Sequence, residues 1–217
     1  MKITKLMDEY YKGLLLTPAI YHSLDLGIHV ELGEDIYQFN EDGKLNMKRF
    51  HSVYNHVAEI FPLLFKKDDD VILIANSYPS DSSKTVYPNF FQRYVKVQQK
   101  RYSLRMHEFI WQFDEEDICI QQIELLCNVS ELKLEYLLKS LIHKDFGSLK
   151  PQLRRKYCIY PPDIFFINVR TKCIFHIYDD RGCEIMNTDV KLHKQLVESL
   201  KEWEKVEILD INNGERF

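Results

Sequence analysis

The material for flexible linkers, cross-links and membrane spans is scarce in this chain. Its 217 residues include only 7 Gly and 7 Pro, too few for the linkers that usually separate domains. The expectation is therefore a single domain over residues 1–217. Five cysteines, Cys119, Cys127, Cys158, Cys173 and Cys183, make an odd number with no C-x-x-C pair. That spacing supplies neither a disulfide framework nor paired zinc ligands. Reduced thiols, several in the core, are the simpler expectation, with no metal and no cofactor. No apolar run approaches the roughly 18 residues of a membrane helix. The N-terminal "MKITKLMDEYYKGLLL" puts charges and tyrosines where a secretory signal needs an apolar centre. A cytoplasmic location without membrane contact follows as the expectation. The motifs G-x-S-x-G, H-E-x-x-H, the P-loop and the Gly-rich dinucleotide fingerprint do not occur. A net charge of −4 argues against a chain-wide nucleic-acid surface.

What is present is ordinary globular material rich in aromatics. Apolar residues make up 45% and charged residues 29%, with 13 Tyr and 13 Phe, which is enough to build a real core.

Periodicity locates the elements. Ile3, Leu6, Met7, Tyr10 and Leu14 form a helical stripe. "GIHVELG" at 27–33 alternates as a strand, and residues 46–61 return to helical spacing until Pro62, the expected stop. "VILIA" at 71–75 has no alternation, as in a central strand covered on both faces. A polar loop, 77–88, should be exposed. Strands are expected near 102–113 and 117–127. Asn128 and Glu131 have capping-box spacing ahead of a helix that stops near Gly147, and 148–162 reads as a basic connection. "DIFFINV", "KCIFHIY" and "CEIM" then form a three-stranded meander. A helix from Asp189 to about Lys205 aligns Leu192, Leu196, Leu200 and Trp203 and should cap the meander. The fold class is α+β, around a mainly antiparallel sheet.

The stretch "FHIYDDRGCEIM" at 175–186 raises the functional question. Asp at the first position and Gly at the fourth suit a type I turn. Asp179 and Gly182 are then structural, with Gly182 left-handed and Asp179 capping the turn through its side chain. Alternation puts Ile174, His176 and Tyr178 opposite Cys173, Phe175 and Ile177, and the second set is the expected core face. His176 and Tyr178 would stand on the outer face beside the turn, gathering with Asp179, Asp180 and Arg181 at a sheet edge. If the protein is an enzyme, His176, Asp179, Asp180 and Arg181 are its candidate catalytic residues. If it binds, Tyr178, Asp180 and Arg181 are the candidate contacts. A separate run, Arg93, Lys96, Lys100, Arg101 and Arg105, is interleaved with Tyr94 and Tyr102, holds no acid, and offers a third, nucleic-acid reading.

The run "PPDIFFINVRTKCIFHIYDDRGCEIM", the amphipathic helix after it and the strand "GIHVELG" resemble a bacterial domain-of-unknown-function family. Its members are small cytoplasmic proteins, mostly from Gram-positive bacteria, marked by a C-terminal YDDRG. His29 and Val30 stand where that family usually has Arg and Phe. The resemblance implies membership and no reaction. Small acidic single-domain proteins often accompany toxins as immunity partners. The leading expectation is thus a non-catalytic binding protein that occludes a toxin-like or regulatory protein, and its tyrosines suit an interface.

Overall fold

The computed structural model describes residues 2–18, 20–33, 35–79, 89–153, 158, 160–201, 203, 206–210 and 215–216. In chain order, α1 (Ile3–Tyr10), β1 (Leu26–Glu31), α2 (Met47–Leu64) and β2 (Asp70–Ser77) are followed by α3 (Asn89–Tyr94), β3 (Arg105–Phe113) and β4 (Glu116–Asn128). Then come α4 (Leu134–Ile142), β5 (Asp163–Asn168), β6 (Ile174–Ile177), β7 (Gly182–Met186), α5 (Val190–Leu200), β8 (Val206–Asp210) and β9 (Glu215–Arg216). Among the described residues nine strands make one sheet in the order β3-β4-β2-β5-β6-β7-β1-β8-β9. Every described pairing is antiparallel. The fold is α+β, with the meander β5-β6-β7 at its centre.

Both faces of the central strands are covered. The larger core joins Val71, Leu73, Phe166, Phe175, Ile177 and Cys183 to α2, α4 and α5. The smaller packs Ile72, Ile74, Phe165, Ile167, Ile174 and Met186 against α1 and the segment 16–24. Two-sided cover explains why β2 is apolar without alternation: it lies between β4 and β5, and only Asp70 at its start is exposed. Cys127, Cys173 and Cys183 are buried, and all five thiols are unpaired.

Several boundaries depart from the periodic reading. Pro62 lies inside α2, which runs to Leu64. The capping box of Asn128 and Glu131 is present, but it opens a 3-10 turn at Val129–Glu131. The following helix ends at Ile142, well before Gly147. α5 ends at Leu200, so Trp203 lies beyond it. Trp203 is half-buried rather than nearly buried, with its ring 4.8 Å from that of His56 and packed against the larger core. α5 does bury Leu196 and Leu200 in the larger core. β8, which pairs with β1, had no signal in the periodicity. Of the loop 77–88, residues 80–88 lie outside the described residues, and its start is not exposed: Ser77 and Tyr78 are buried. In the connection 148–162, Pro151 and Leu153 are buried.

Candidate functional site

The 178–182 turn joins β6 to β7, two interior strands, so it sits at the end of the sheet and not at an edge. Asp179 accepts the backbone N–H of Arg181 at 2.7 Å, the expected side-chain cap. The Arg181 guanidinium folds back onto the same carboxylate, with Nε 2.9 Å from Oδ2 and Nη2 closer still. Asp179 pushes the pKa of Arg181 up.

Asp180 takes no part in that fork. Its side chain is 1% exposed, and its Oδ2 accepts Arg49 Nε from α2 at 2.7 Å. Arg49 also donates to the carbonyls of Asp180 at 3.2 Å, Ile36 at 2.7 Å and Leu32 at 3.3 Å. One buried guanidinium thus ties the turn to α2 and to the segment after β1. Gly33 makes room for it: its φ is +82°, and a Cβ there would lie 2.7 Å from Arg49 Cζ. Asp180 is therefore a structural residue and not an available contact.

Gly182 corrects the turn reading. It belongs to β7 and is not among the glycines with positive φ. Its requirement is steric. A Cβ at 182 would lie 2.0 Å from Tyr178 Oη and 2.6 Å from its Cζ. The Tyr178 ring lies across Gly182, and its hydroxyl sits 2.9 Å from His29 Nε2. The His29 and Tyr178 rings are parallel within 7°. Burial, then Asp179, pushes the Tyr178 hydroxyl pKa up, and burial lowers that of His29.

His176 is 1% exposed, not outward-facing. The expected outer face is covered by the N-terminal strap: Asn76 and Gln122 both donate to Leu16 O, and Glu124 accepts the N–H of Ile3. Strand register aligns His176 with Glu184, Glu184 with His29, and His29 with Glu207. This is a row of alternating histidine and carboxylate across four strands. His176 stacks on Phe165 at 4.3 Å. Its Nδ1 lies 3.0 Å from Ile164 O, which only accepts, so Nδ1 carries the proton. His176 Nε2, Glu184 Oε2 and Tyr21 Oη are buried without hydrogen-bond partners among the described residues. Burial, with Asp163 adding repulsion, pushes the Glu184 carboxyl up to about 7. Burial also lowers the pKa of His176, holding it neutral.

Tyr178, Asp179 and Arg181 line a cleft of about 610 Å³. One wall carries Tyr78 and Tyr160, edge to face at 6.1 Å. The β3–β4 hairpin also lines the cleft, with Trp111 and Phe113 at 4.7 Å. At the floor, Tyr78 donates to Asp163, whose other oxygen accepts Lys144 Nζ at 2.6 Å. The hairpin tip turns through Asp114 at φ 47° and Glu115 at φ 68°. A two-residue turn with both φ positive ordinarily takes Asn-Gly or Asp-Gly.

In the basic run 93–105, the described cations have partners within the chain. Arg93 donates to Tyr136 Oη and Gln152 O, and Lys96 to Ser130 O. Lys100 pairs with Glu131 and Arg105 with Glu124. The side chain of Arg101 lies outside the described residues. Among the described residues no group of three or more His, Cys, Asp or Glu is arranged to hold a metal. No described helix is long and apolar enough to cross a membrane.

The domain of unknown function DUF3885 matches residues 3–212. The chain belongs to the DUF3885 family. It is similar to the "Uncharacterized protein YnaE" of Bacillus subtilis (strain 168), at 34% identity over 208 residues, covering 94% of this chain and 97% of the relative. No solved structure matches significantly.

In this DUF3885 member, Arg49, Glu184 and the Trp111–Phe113 wall escape a reading centred on the 178–182 turn. The wall had a usable signal: in "HEFIWQF" every second residue from His107 to Phe113 is aromatic, a one-faced strand pattern. Arg49 and Glu184 had none, because their significance depends on register and on a helix packing across the sheet.

Proposed function

We propose that this protein is a non-catalytic binding protein that occludes a partner protein, in the manner of an immunity factor, and that the cleft beside the 178–182 turn is its contact site. One observation carries the reading: the candidate proton-transfer residues of the turn, His176, Asp179 and Asp180, do not converge. His176 projects under the N-terminal strap, while Asp180 is drawn to Arg49 on α2, which covers the opposite face. Asp179 is held by Arg181. General acid–base chemistry needs such groups within hydrogen-bond reach of one substrate position. The Arg181 side chain, 61% exposed, borders a cleft walled by Tyr and Trp, and these are the residue types enriched at binding hot spots.

A second reading, an enzyme, draws support from Glu184, a buried carboxyl pushed up to about 7 beside Asp163. Affinity capture from the native host, repeated with Arg181→Ala, separates the two. A stable partner whose affinity falls about fivefold to thirtyfold, the equivalent of about 1–2 kcal/mol, supports binding. No partner, together with a turnover lost in Glu184→Gln while the fold holds, favours the enzyme.

A further inference from the structure

The charge balance of the cleft says what kind of segment fits it. Its two cations are already answered, Lys144 by Asp163 at 2.6 Å and Arg181 by Asp179. Of its other carboxylates, Asp145 acts on Arg181 through charge, and the side chains of Asp114 and Glu116 take part in no hydrogen bond or ion pair among the described residues. The cleft is thus acidic in net terms, with aromatic rings in its lining. Aromatic faces backed by carboxylates attract an ammonium or guanidinium group, through the ring quadrupole and through charge.

The geometry beside the cleft favours a peptide over a small cation. β3 ends the strand order of the sheet among the described residues. Its Met106 and Ile110 are 46% and 53% exposed. His107, Phe109, Trp111 and Phe113 alternate down the face that leads into the cleft, and neighbouring rings stand 6.1 Å and 4.7 Å apart. A terminal strand offers backbone N–H and C=O groups to an extended chain, and alternate side chains of that chain then fall on one face.

Building on the binding reading above, we propose that an extended basic segment of the partner protein adds to the edge of β3 and places a lysine or arginine side chain between Trp111 and Tyr160. The hairpin tip supplies the negative charge that selects it, and the aromatic stripe supplies the platform. The 178–182 turn lines the same cleft through Tyr178, Asp179 and Arg181.

The test is calorimetric titration of the intact protein with a peptide of alternating Lys and Thr long enough to span β3. A Glu/Thr peptide and spermine serve as comparisons. The Lys/Thr peptide is expected to bind about tenfold or more tighter than the Glu/Thr peptide, and to weaken with added salt. Asp114→Asn with Glu116→Gln, and separately Trp111→Ala, should each weaken it about tenfold. Asp114 and Glu116 are exposed and Trp111 is half-buried, all on the β3–β4 hairpin, and circular dichroism checks the fold. Equal binding of the two peptides, or indifference to both variants, overturns the inference. Spermine binding as tightly as the peptide also overturns it, in favour of a small polycation. A captured partner that binds wild type and the tip variant equally sinks this inference and leaves the binding reading standing. Capture of no partner, with neither peptide bound, removes both.

Discussion

At the 178–182 turn each acid is answered within the chain, Asp179 by Arg181 and Asp180 by Arg49. At the 113–117 hairpin tip, the side chains of Asp114, Glu115, Glu116 and Asp117 take part in no hydrogen bond or ion pair among the described residues. The turn is rich in suggestive residues yet organised inward. The tip looks like a solvated loop in the sequence, yet it overhangs the cleft on a backbone that an Asn-Gly turn would adopt more cheaply. The comparison separates holding a site from being one. A buried, fully bonded acid fixes geometry, whereas an unpaired acid beside aromatic rings is free to meet a ligand.

Breaking the inward side should give the largest effect. Asp180→Ala or Arg49→Ala leaves an unmatched buried charge, and each should cost about 3–5 kcal/mol in urea unfolding. A cost below about 1 kcal/mol would put the turn on the same footing as the tip.

Glu184 gives the next effect, and it depends on pH. Its folded pKa, about 7, lies above the ordinary value of 4.5. The fold therefore favours the protonated form. Stability linked to this group is fully present below pH 4.5 and is lost as pH rises through about 7. Glu184→Gln should be close to neutral near pH 4 and stabilising at pH 8 by about 3 kcal/mol. Denaturation curves at the two pH values check it, and an equal change at both would contradict the burial account.

Gly182→Ala should cost about 1–3 kcal/mol, because the new methyl group displaces the Tyr178 ring. In a Tyr178→Ala background that cost should largely vanish. A left-handed glycine would keep its penalty in both backgrounds, so the double-mutant cycle decides between steric and conformational causes. The smallest effect belongs to the tip: Asp114→Asn with Glu116→Gln should change stability by less than about 0.5 kcal/mol. A larger loss would mean that the tip, too, is scaffold.

Patterns set by neighbouring residues were legible in the sequence. β2 reads as a buried central strand because its apolar run has no gap, and Asp179 reads as a turn cap because its partner is two residues away. The meander and the stripe of α5 follow from periods of two and of roughly 3.6. What depended on distant packing was hidden. His176 is buried because residues 3–24 cross a face that alternation alone marks as outer. Asp180 finds Arg49 across 131 positions of chain. Gly182 serves a tyrosine ring rather than a backbone angle, which a turn template cannot distinguish.

The most direct test of the binding account is amide hydrogen exchange on the protein with and without its captured partner. The account predicts new protection over 105–118 along β3 and the hairpin tip, at 160–163 and at 178–182, with little change in a second groove, of about 230 Å³, that Tyr54, Val57, Leu138 and Ile142 line between α2 and α4. Protection confined to that groove, or none at the cleft, would contradict it.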